Sequence, residues 1–555
     1  MDRRAFLRTG GLGGAALALA GADKAATRPA RPNILCIMGD DHCATAIGAY
    51  GSPLAKLNPT PVIDGLAREG MLFENCFCVN SICTPSRANI LTGQYSQANG
   101  VLTLNGHLPP ERQYLPKLMK EAGYATAIVG KWHLGDEPTH FDYYKVLPGQ
   151  GQYFDPPFHE KGRGKYPHNL VKTKGYCDDL TMDAALEWLR RRDKTRPFFL
   201  CLHFKAPHGP WSYPPRYESW LKNVEVPYPD SLFTQGGHGS IATRGDHDEL
   251  IHYIGFSVGR RNVLHNEMSK DARDPQLSDE EALKKSYQDY LKRYLRAARS
   301  NDDNLRRVTD YLRTDGILDD TVISYTSDQG MWLGEHDYAD KRWMYEESMR
   351  MPFIVRYPRA VKAGSRTDAL VNNTDFAPTI LDFAGVATPS FMHGRSFRGI
   401  LETGKPPAGW RDATYYRYWM HLATTYNPAH FGIRTKQYKL IFFYGINYRG
   451  DGGIQTPPGW EFYDLEKDPE EMNNAYGDPS YAAIIADLKR RLLALREQYG
   501  ETDKNYPAIQ AIIDRHWNTT GASRAEAVRI SHEARRRFEQ LRAKGSGTRN
   551  AEKGG

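Results

Sequence analysis

The chain has 555 residues, enough for a large buried core and about three to four average domains, although large α/β enzymes often use fewer. Its formal net charge of +7 is small for this length, which argues against a nucleic-acid partner. The seven cysteines have no zinc-type spacing, and Cys36 and Cys201 fall in apolar strand patterns typical of core residues. No stretch is apolar and long enough for a transmembrane segment.

The N-terminus has the features of a targeting segment. Arg3 and Arg4 precede a mild apolar run over residues 10–20, and small residues follow near position 21. This order resembles a twin-arginine export signal. It predicts a signal and linker over residues 1–30 and an exported bacterial protein, periplasmic or extracellular. A disordered basic N-terminus is the alternative.

The first predicted strand ends at a pair of carboxylates. Residues 33–38 form a continuous apolar run, as in a buried parallel strand, and Asp40 and Asp41 follow directly. Ligands of α/β proteins bind at such strand ends, and two adjacent carboxylates favour a hard divalent cation, most simply Ca²⁺. A solvated acidic turn is the alternative.

A second strand over residues 71–77 leads to Cys83, which begins the stretch Cys83-Thr-Pro-Ser-Arg87. Arg87 comes one helical turn after Cys83, so the two side chains can share a face. We expect the cysteine at the start of a helix near Ala88, where backbone amides favour an anion. An ordinary free cysteine before a turn proline is the alternative.

Two further strands end in basic residues. The strand over residues 124–130 precedes Lys131 and His133, which are two apart and can point to one side of an extended segment. The strand over residues 197–204 contains His203, which we expect to pack within it, and is followed by His208. A structural histidine is the alternative for His133.

A fourth strand, over residues 321–326, is followed by Asp328 and Gln329, and Lys341 comes a short distance later with His336 between them. Residues 136–180 and 211–280 have weak periodicity and predict two insertions near the mouth of the site. In the second insertion, His238, Asp246 and His247 could form a site, although a solvated loop is the simpler interpretation. Residues 280–314 predict helix with a break near residues 300–303.

The C-terminal part predicts a smaller α+β subdomain. A Lys-Pro-Pro linker at 405–407 precedes aromatic strands and then an amphipathic helix over residues 481–499. We therefore assign residues 31–407 to a catalytic domain and 408–500 to the subdomain. Residues 501–555 predict a basic tail, either helical on the surface or disordered, with an oligomer contact as the alternative.

Taken together, these motifs resemble the type I sulfatases of the alkaline phosphatase superfamily over roughly residues 31–500. The Cys83 stretch and the Gly-Lys-Trp-His-Leu-Gly segment at 130–135 are the most specific matches. Residues 346–357 are most similar to carbohydrate sulfatases, such as the N-acetylglucosamine-6-sulfatase-like group. The resemblance implies an α/β fold in which helices sandwich a large mixed sheet, with an antiparallel sheet in the smaller subdomain.

The resemblance also implies a chemistry. A formylglycine-generating maturation enzyme would oxidise Cys83 to Cα-formylglycine, whose hydrate is a nucleophile toward sulfur. The implied catalytic residues are Cys83, Arg87, Lys131, His133, His208 and Lys341. The implied ligands of one Ca²⁺ ion are Asp40, Asp41, the residue made from Cys83, Asp328 and Gln329. The family usually has Asn at the position of Gln329, whose amide can still offer a carbonyl oxygen.

The function implied by the resemblance is hydrolysis of a sulfate ester, with a sulfated carbohydrate as the expected substrate. Many aromatic residues, 33 Tyr and 10 Trp, suit an open pocket for sugars because rings stack on sugar faces. One alternative is a phosphate or phosphonate monoester hydrolase of the same superfamily. The other is a non-catalytic sulfoglycan-binding protein, if Cys83 stays unconverted.

Overall fold

The computed structural model describes residues 31–234, 237–264, 271–450, 452–501 and 503–545. The predicted export signal over residues 1–30 lies outside these residues, as does the end of the predicted tail. In the described part of the chain, every helix is too short or too polar to cross a membrane.

Three sheets contain the described strands. In chain order, the strands are β1 (Asn33–Gly39), β2 (Met71–Phe77), β3 (Ala125–Lys131), β4 (Tyr143–Leu147), β5 (Phe158–Glu160), β6 (Leu170–Val171), β7 (Phe198–His203), β8 (Phe256–Ser257), β9 (Thr321–Ser327), β10 (Trp332–Leu333), β11 (Tyr338–Asp340), β12 (Arg350–Arg356), β13 (Ser365–Thr367), β14 (Val371–Asn372), β15 (Ala413–Tyr418), β16 (His430–Thr435), β17 (Tyr438–Phe443) and β18 (Gly459–Asp464).

The α-helices lie between and after these strands. In chain order, they are α1 (Pro61–Glu69), α2 (Cys83–Thr92), α3 (Ser96–Asn99), α4 (Tyr114–Glu121), α5 (Cys177–Arg191), α6 (Ile241–Arg244), α7 (Asp279–Thr314), α8 (Glu346–Met349), α9 (Phe376–Phe383), α10 (Arg398–Thr403), α11 (Ala482–Gln498), α12 (Pro507–His516) and α13 (Arg524–Gly545).

The largest sheet is mixed and has the order β13-β2-β12-β9-β1-β7-β3-β4-β5-β6, with β14 also paired to β2. β1 lies between β7 and β9 and is parallel to both, and β3 is parallel to β7. β12 runs antiparallel to its neighbours β2 and β9. Because β1, β3, β7 and β9 are parallel, their C-terminal ends meet at one edge of the sheet.

Helices cover both faces of this sheet, as predicted. Side chains alternate along β1, so Leu35 packs with residues of α1, α5 and α7 on one face. Ile34 and Met38 pack with residues of α2, α4 and α9 on the other face. The predicted fold class, a large mixed sheet between helices with a separate antiparallel sheet, is confirmed.

The break predicted near residues 300–303 is wrong, because α7 is one continuous helix of 36 residues. Its polar side chains have partners outside the helix instead of ending it. Asp302 accepts hydrogen bonds from the backbone amides of Val62 and Ile63 at the start of α1. Asn301 donates to the carbonyl of Ala206 at 2.7 Å. These contacts satisfy the polar side chains of this buried helical turn, which would otherwise favour the end of the helix.

The smaller sheet is antiparallel in the order β15-β16-β17-β18. Helices α11 and α12 pack on it through buried side chains that include Leu492 and Ile509. Arg417 on β15 forms buried ion pairs with Glu501 and Asp503. The predicted boundary at residue 500 stays a prediction, and these ion pairs join the residues on either side of it.

Candidate active site

The C-terminal edge of the parallel strands gathers most of the predicted site. Asp40 and Asp41 follow β1, Lys131 is the last residue of β3, and Asp328 follows β9. His208 lies five residues beyond β7. These side chains come from positions far apart in the sequence, and the parallel arrangement of the strands brings them to one place.

Cys83 is the first residue of α2, five residues earlier than the helix start expected near Ala88. Its thiol is fully buried, and burial raises the pKa of that thiol to about 12. The thiol is therefore protonated at neutral pH. One ligand atom from each of Cys83, Asp40 and Asp41 lies within 4.8 Å of the others, so the predicted nucleophile and two of the predicted metal ligands form one cluster.

Arg87 holds the carboxylates of two strand ends together. Its side chain is 2% exposed, and Nε donates to Oδ2 of Asp328 at 3.0 Å. Nη2 lies 3.3 Å from Oδ1 of Asp40, and Nη1 donates to the carbonyl of Lys131 at 2.8 Å. The planar guanidinium thus bridges β1, β3 and β9, which a lysine could not do with one nitrogen.

The two predicted lysines each face a carboxylate. Lys131 pairs with Oδ2 of Asp40, and Lys341 lies 2.6 Å from Oδ2 of Asp41. Burial opposes the charge on Asp40, yet Lys131, His208 and Arg87 hold the pKa of that carboxyl well below its usual value. The cations of the site are therefore paired with its buried carboxylates.

The predicted histidines have different environments. His208 Nε2 is 3.6 Å from Oδ2 of Asp41, and its Nδ1 lies 2.8 Å from the carbonyl of Gly209. Burial and Lys341 lower the pKa of His208. His133 does not continue an extended segment as expected, because its φ is +53°. Its buried Nδ1 has no hydrogen-bond partner among the described residues, and burial and Lys131 lower its pKa.

The other histidines singled out by the sequence lie elsewhere. His203 packs within β7, as expected, with Nδ1 3.3 Å from the carbonyl of Lys131. His336 Nε2 lies 2.7 Å from the carbonyl of Glu470. His247 is 80% exposed beside Asp246, in keeping with a solvated loop.

The residues around Asp41 suit a hard divalent cation. Asp40, Asp41 and Asp328 are fully buried carboxylates, and burial raises the pKa of Asp328 to about 7. Gln329 donates its amide nitrogen to Asp41, while its buried carbonyl oxygen Oε1 has no partner among the described residues. Clustered carboxylates and a free amide carbonyl are the oxygen ligands that Ca²⁺ prefers.

Four polar residues of the site were not predicted. Asp340 and Arg342 flank Lys341 and pair with each other at 2.7 Å. Lys205 is 2% exposed, and its position directly after a buried strand was a sequence signal for it. Gln150 lies in the aperiodic insertion over residues 136–180, where no pattern marks it.

The large mixed sheet with this cluster at its parallel strand ends has the fold of the alkaline phosphatase superfamily. The sulfatase family model matches residues 32–386. The model described as "N-sulphoglucosamine sulphohydrolase, C-terminal" matches residues 334–498. The chain belongs to the sulfatase family and is a sulfuric ester hydrolase.

Several characterised proteins are similar over most of their length. An N-acetylglucosamine-6-O-sulfatase from Bacteroides thetaiotaomicron is 39% identical, over 85% of this chain and 88% of that protein. An ulvan-active sulfatase from Formosa agariphila is 25% identical, over 87% of each chain. The solved structure of BT4656, in complex with its substrate D-glucosamine-2-N,6-O-disulfate, has 39% identity and a TM-score of 0.75, and covers 85% of this chain and 99% of that one.

Proposed function

We propose that the enzyme removes a sulfate ester from a sulfated carbohydrate, specifically the 6-O-sulfate of a glucosamine unit. The observation that supports this proposal most strongly is the buried cluster of Cys83, Asp40 and Asp41, which Arg87 and two lysines surround. The sugar is proposed from the 39% identity to the glucosamine-6-O-sulfatase, which extends over 85% of this chain.

The nucleophile is formylglycine made from Cys83 by a formylglycine-generating enzyme. When formed, the hydrated aldehyde supplies one hydroxyl that attacks sulfur and another whose loss of a proton expels sulfate. The position of Cys83 at the first turn of α2 supports this role, since backbone amides there favour the oxyanion. His133, whose buried Nδ1 has no partner among the described residues, is the candidate that accepts a proton during sulfate release.

The metal is one Ca²⁺ ion, held by Asp40, Asp41, Asp328 and Gln329, together with the oxygen that replaces the sulfur of Cys83. When bound, the ion offsets negative charge on the sulfate oxygens. The buried carbonyl oxygen of Gln329, which has no partner among the described residues, supports its part in this ligand set.

The sulfate group is bound by Arg87, Lys131, Lys341 and His208, which offset charge that develops during sulfuryl transfer. The side chain of His208 is 18% exposed, compared with 4% for Lys341 and 0% for Lys131. His208 is therefore nearest to solvent and suited to protonate the departing sugar oxygen. Lys341 is the second candidate for this proton transfer.

The enzyme is exported, to the periplasm or beyond, by a twin-arginine route. Arg3 and Arg4 before an apolar run support this, and export of folded protein fits a residue that is modified in the cytoplasm.

A direct test compares two substrates with matured enzyme. Glucosamine 6-sulfate should be hydrolysed with a far higher kcat/KM than glucosamine 6-phosphate. The reverse preference would identify a phosphomonoester hydrolase. Tight binding of the sulfated sugar without sulfate release, in protein with converted Cys83, would identify a binding protein.

A further inference from the structure

The loop after β4 lies against the candidate active site and has a conformation that only glycine adopts easily at two points. Gly149 and Gly151 have φ values of +50° and +66°. Gln150 lies between them, and Tyr153 lies two residues after Gly151. The backbone turns here so that Gln150 faces Lys131 at the end of β3.

Gln150 is held from both sides by lysines. Its side-chain Oε1 accepts a hydrogen bond from Nζ of Lys131 at 2.7 Å. Its backbone carbonyl accepts one from Nζ of Lys205 at 2.9 Å. Lys205 is itself fixed, because its backbone amide donates to Asp178 at 2.8 Å and its ammonium lies 4.9 Å from the ring centre of Tyr153. The position of the Gln150 side chain is therefore set by buried groups.

An ammonium group has three hydrogens, all of them donors. In Lys131, Asp40 and Gln150 each accept one of them. Two acceptors, one directly after β1 and one in the loop after β4, fix the rotation of the group, so one direction is left for the third N–H. A freely rotating ammonium would lose entropy each time it bound a sulfate oxygen.

The same loop contacts a second residue of the site, His208. The hydroxyl of Tyr153 donates to the backbone carbonyl of His208 at 2.6 Å. One short segment thus contacts Lys131 from β3 and His208 beyond β7. The loop is therefore part of the candidate active site.

We infer that Gln150 is a positioning residue, which directs the ammonium of Lys131 at the sulfate oxygens. This inference rests on the proposed function. Among the described residues, the side chain of Gln150 accepts a hydrogen bond from Lys131 and acts on the nucleophile and the metal ligands only through that lysine.

The test is a double-mutant cycle of Gln150→Met and Lys131→Ala, with Gln152→Met as the matched control. Methionine keeps the length of glutamine but cannot accept the hydrogen bond. Gln152 lies in the same loop, and among the described residues its side chain donates to the carbonyl of Asp155, so its variant should retain wild-type kcat/KM. Thermal denaturation checks that each variant is folded.

Gln150→Met should lower kcat/KM on glucosamine 6-sulfate by about 10- to 100-fold, the usual effect of a hydrogen bond to a charged group. In the Lys131→Ala background it should change kcat/KM by less than about threefold, because the group it positions is absent. Equal losses in both backgrounds would show a structural role and overturn the inference.

Binding of inorganic sulfate, measured by calorimetry, separates failure of the inference from failure of the proposed function. A wild-type enzyme without sulfatase turnover contradicts the proposed function alone. Even then, Gln150→Met should weaken sulfate binding about tenfold relative to wild type and Gln152→Met. Unchanged sulfate affinity in Gln150→Met, or no sulfate binding by the wild type, would overturn the inference.

Discussion

Replacing Arg87 with methionine tests how the buried charges hold the site together. The guanidinium is 2% exposed and contacts Asp328 at 3.0 Å, Asp40 at 3.3 Å and the carbonyl of Lys131 at 2.8 Å. Methionine fills much of the same volume but leaves Asp328 without its cation. Breaking one side of a buried ion pair costs about 3–5 kcal/mol, because the remaining charge is desolvated and unpaired.

The measurement is the free energy of unfolding in denaturant, on unconverted protein in a chelator, so that neither formylglycine nor Ca²⁺ contributes. Arg87→Lys should lose less free energy of unfolding than Arg87→Met, because lysine keeps the positive charge and loses only the planar, multidentate guanidinium. Arg398→Met is the control, since Arg398 is 38% exposed and its ion pairs contribute at most about 1 kcal/mol. A stability of Arg87→Met equal to that of wild type would refute the assignment of Arg87 as the bridge.

Three further predictions concern the metal, the proton donor and the stability at different pH. Gln329→Leu should weaken Ca²⁺ binding by at least about tenfold in calorimetry, because it removes one oxygen ligand; unchanged affinity would exclude Gln329 from the ligand set. His208→Asn should lower kcat on an alkyl sugar sulfate by about 10²- to 10⁴-fold but much less on a nitrophenyl sulfate, whose leaving group needs no proton; equal losses would remove His208 as the acid. Burial raises the pKa of Asp302 to about 7, so its carboxyl group binds a proton more tightly in the folded state than in the unfolded chain. The free energy of unfolding should therefore fall as the pH rises from about 4 to 7. Asp302→Asn keeps an acceptor for the α1 amides, and its free energy of unfolding relative to wild type should rise over that pH range. A difference between the two proteins that stays constant with pH would contradict the raised pKa of Asp302.

The sequence predicted the strands of the central sheet because buried parallel strands are continuous apolar runs. β1 and β7 follow this pattern, and the polar residues that follow them are where the chemistry lies. The positions of Asp40, Asp328 and Lys131 could be predicted because a parallel sheet places strand ends together whatever their separation in the chain.

Other features depend on contacts that no local pattern records. The predicted break in α7 was wrong because Asp302 has its partners on α1, more than 200 residues away in the chain. The aromatic strands predicted in the C-terminal part, at residues 414–420, 438–444 and 462–465, do not include β16. A side chain at Gly432 of this strand would meet the carbonyl of Leu440 at 2.3 Å. Only the folded sheet shows why glycine is needed there.

Gln150 is the clearest case of a site residue without a sequence signal. It lies in an insertion without periodicity, and its partners Lys131 and Lys205 come from two different strand ends. Its placement follows from the positive φ values of the neighbouring glycines and from the two lysines, which are tertiary properties.

The central claim is that this sulfatase acts through a residue made from Cys83. The most direct measurement relates sulfate release from glucosamine 6-sulfate to the fraction of Cys83 converted, determined by mass spectrometry on the tryptic peptide of residues 69–87. Preparations with different degrees of maturation should show turnover proportional to conversion, with none at zero conversion. Full turnover by unconverted protein, or no turnover by fully converted protein supplied with Ca²⁺, would contradict the account.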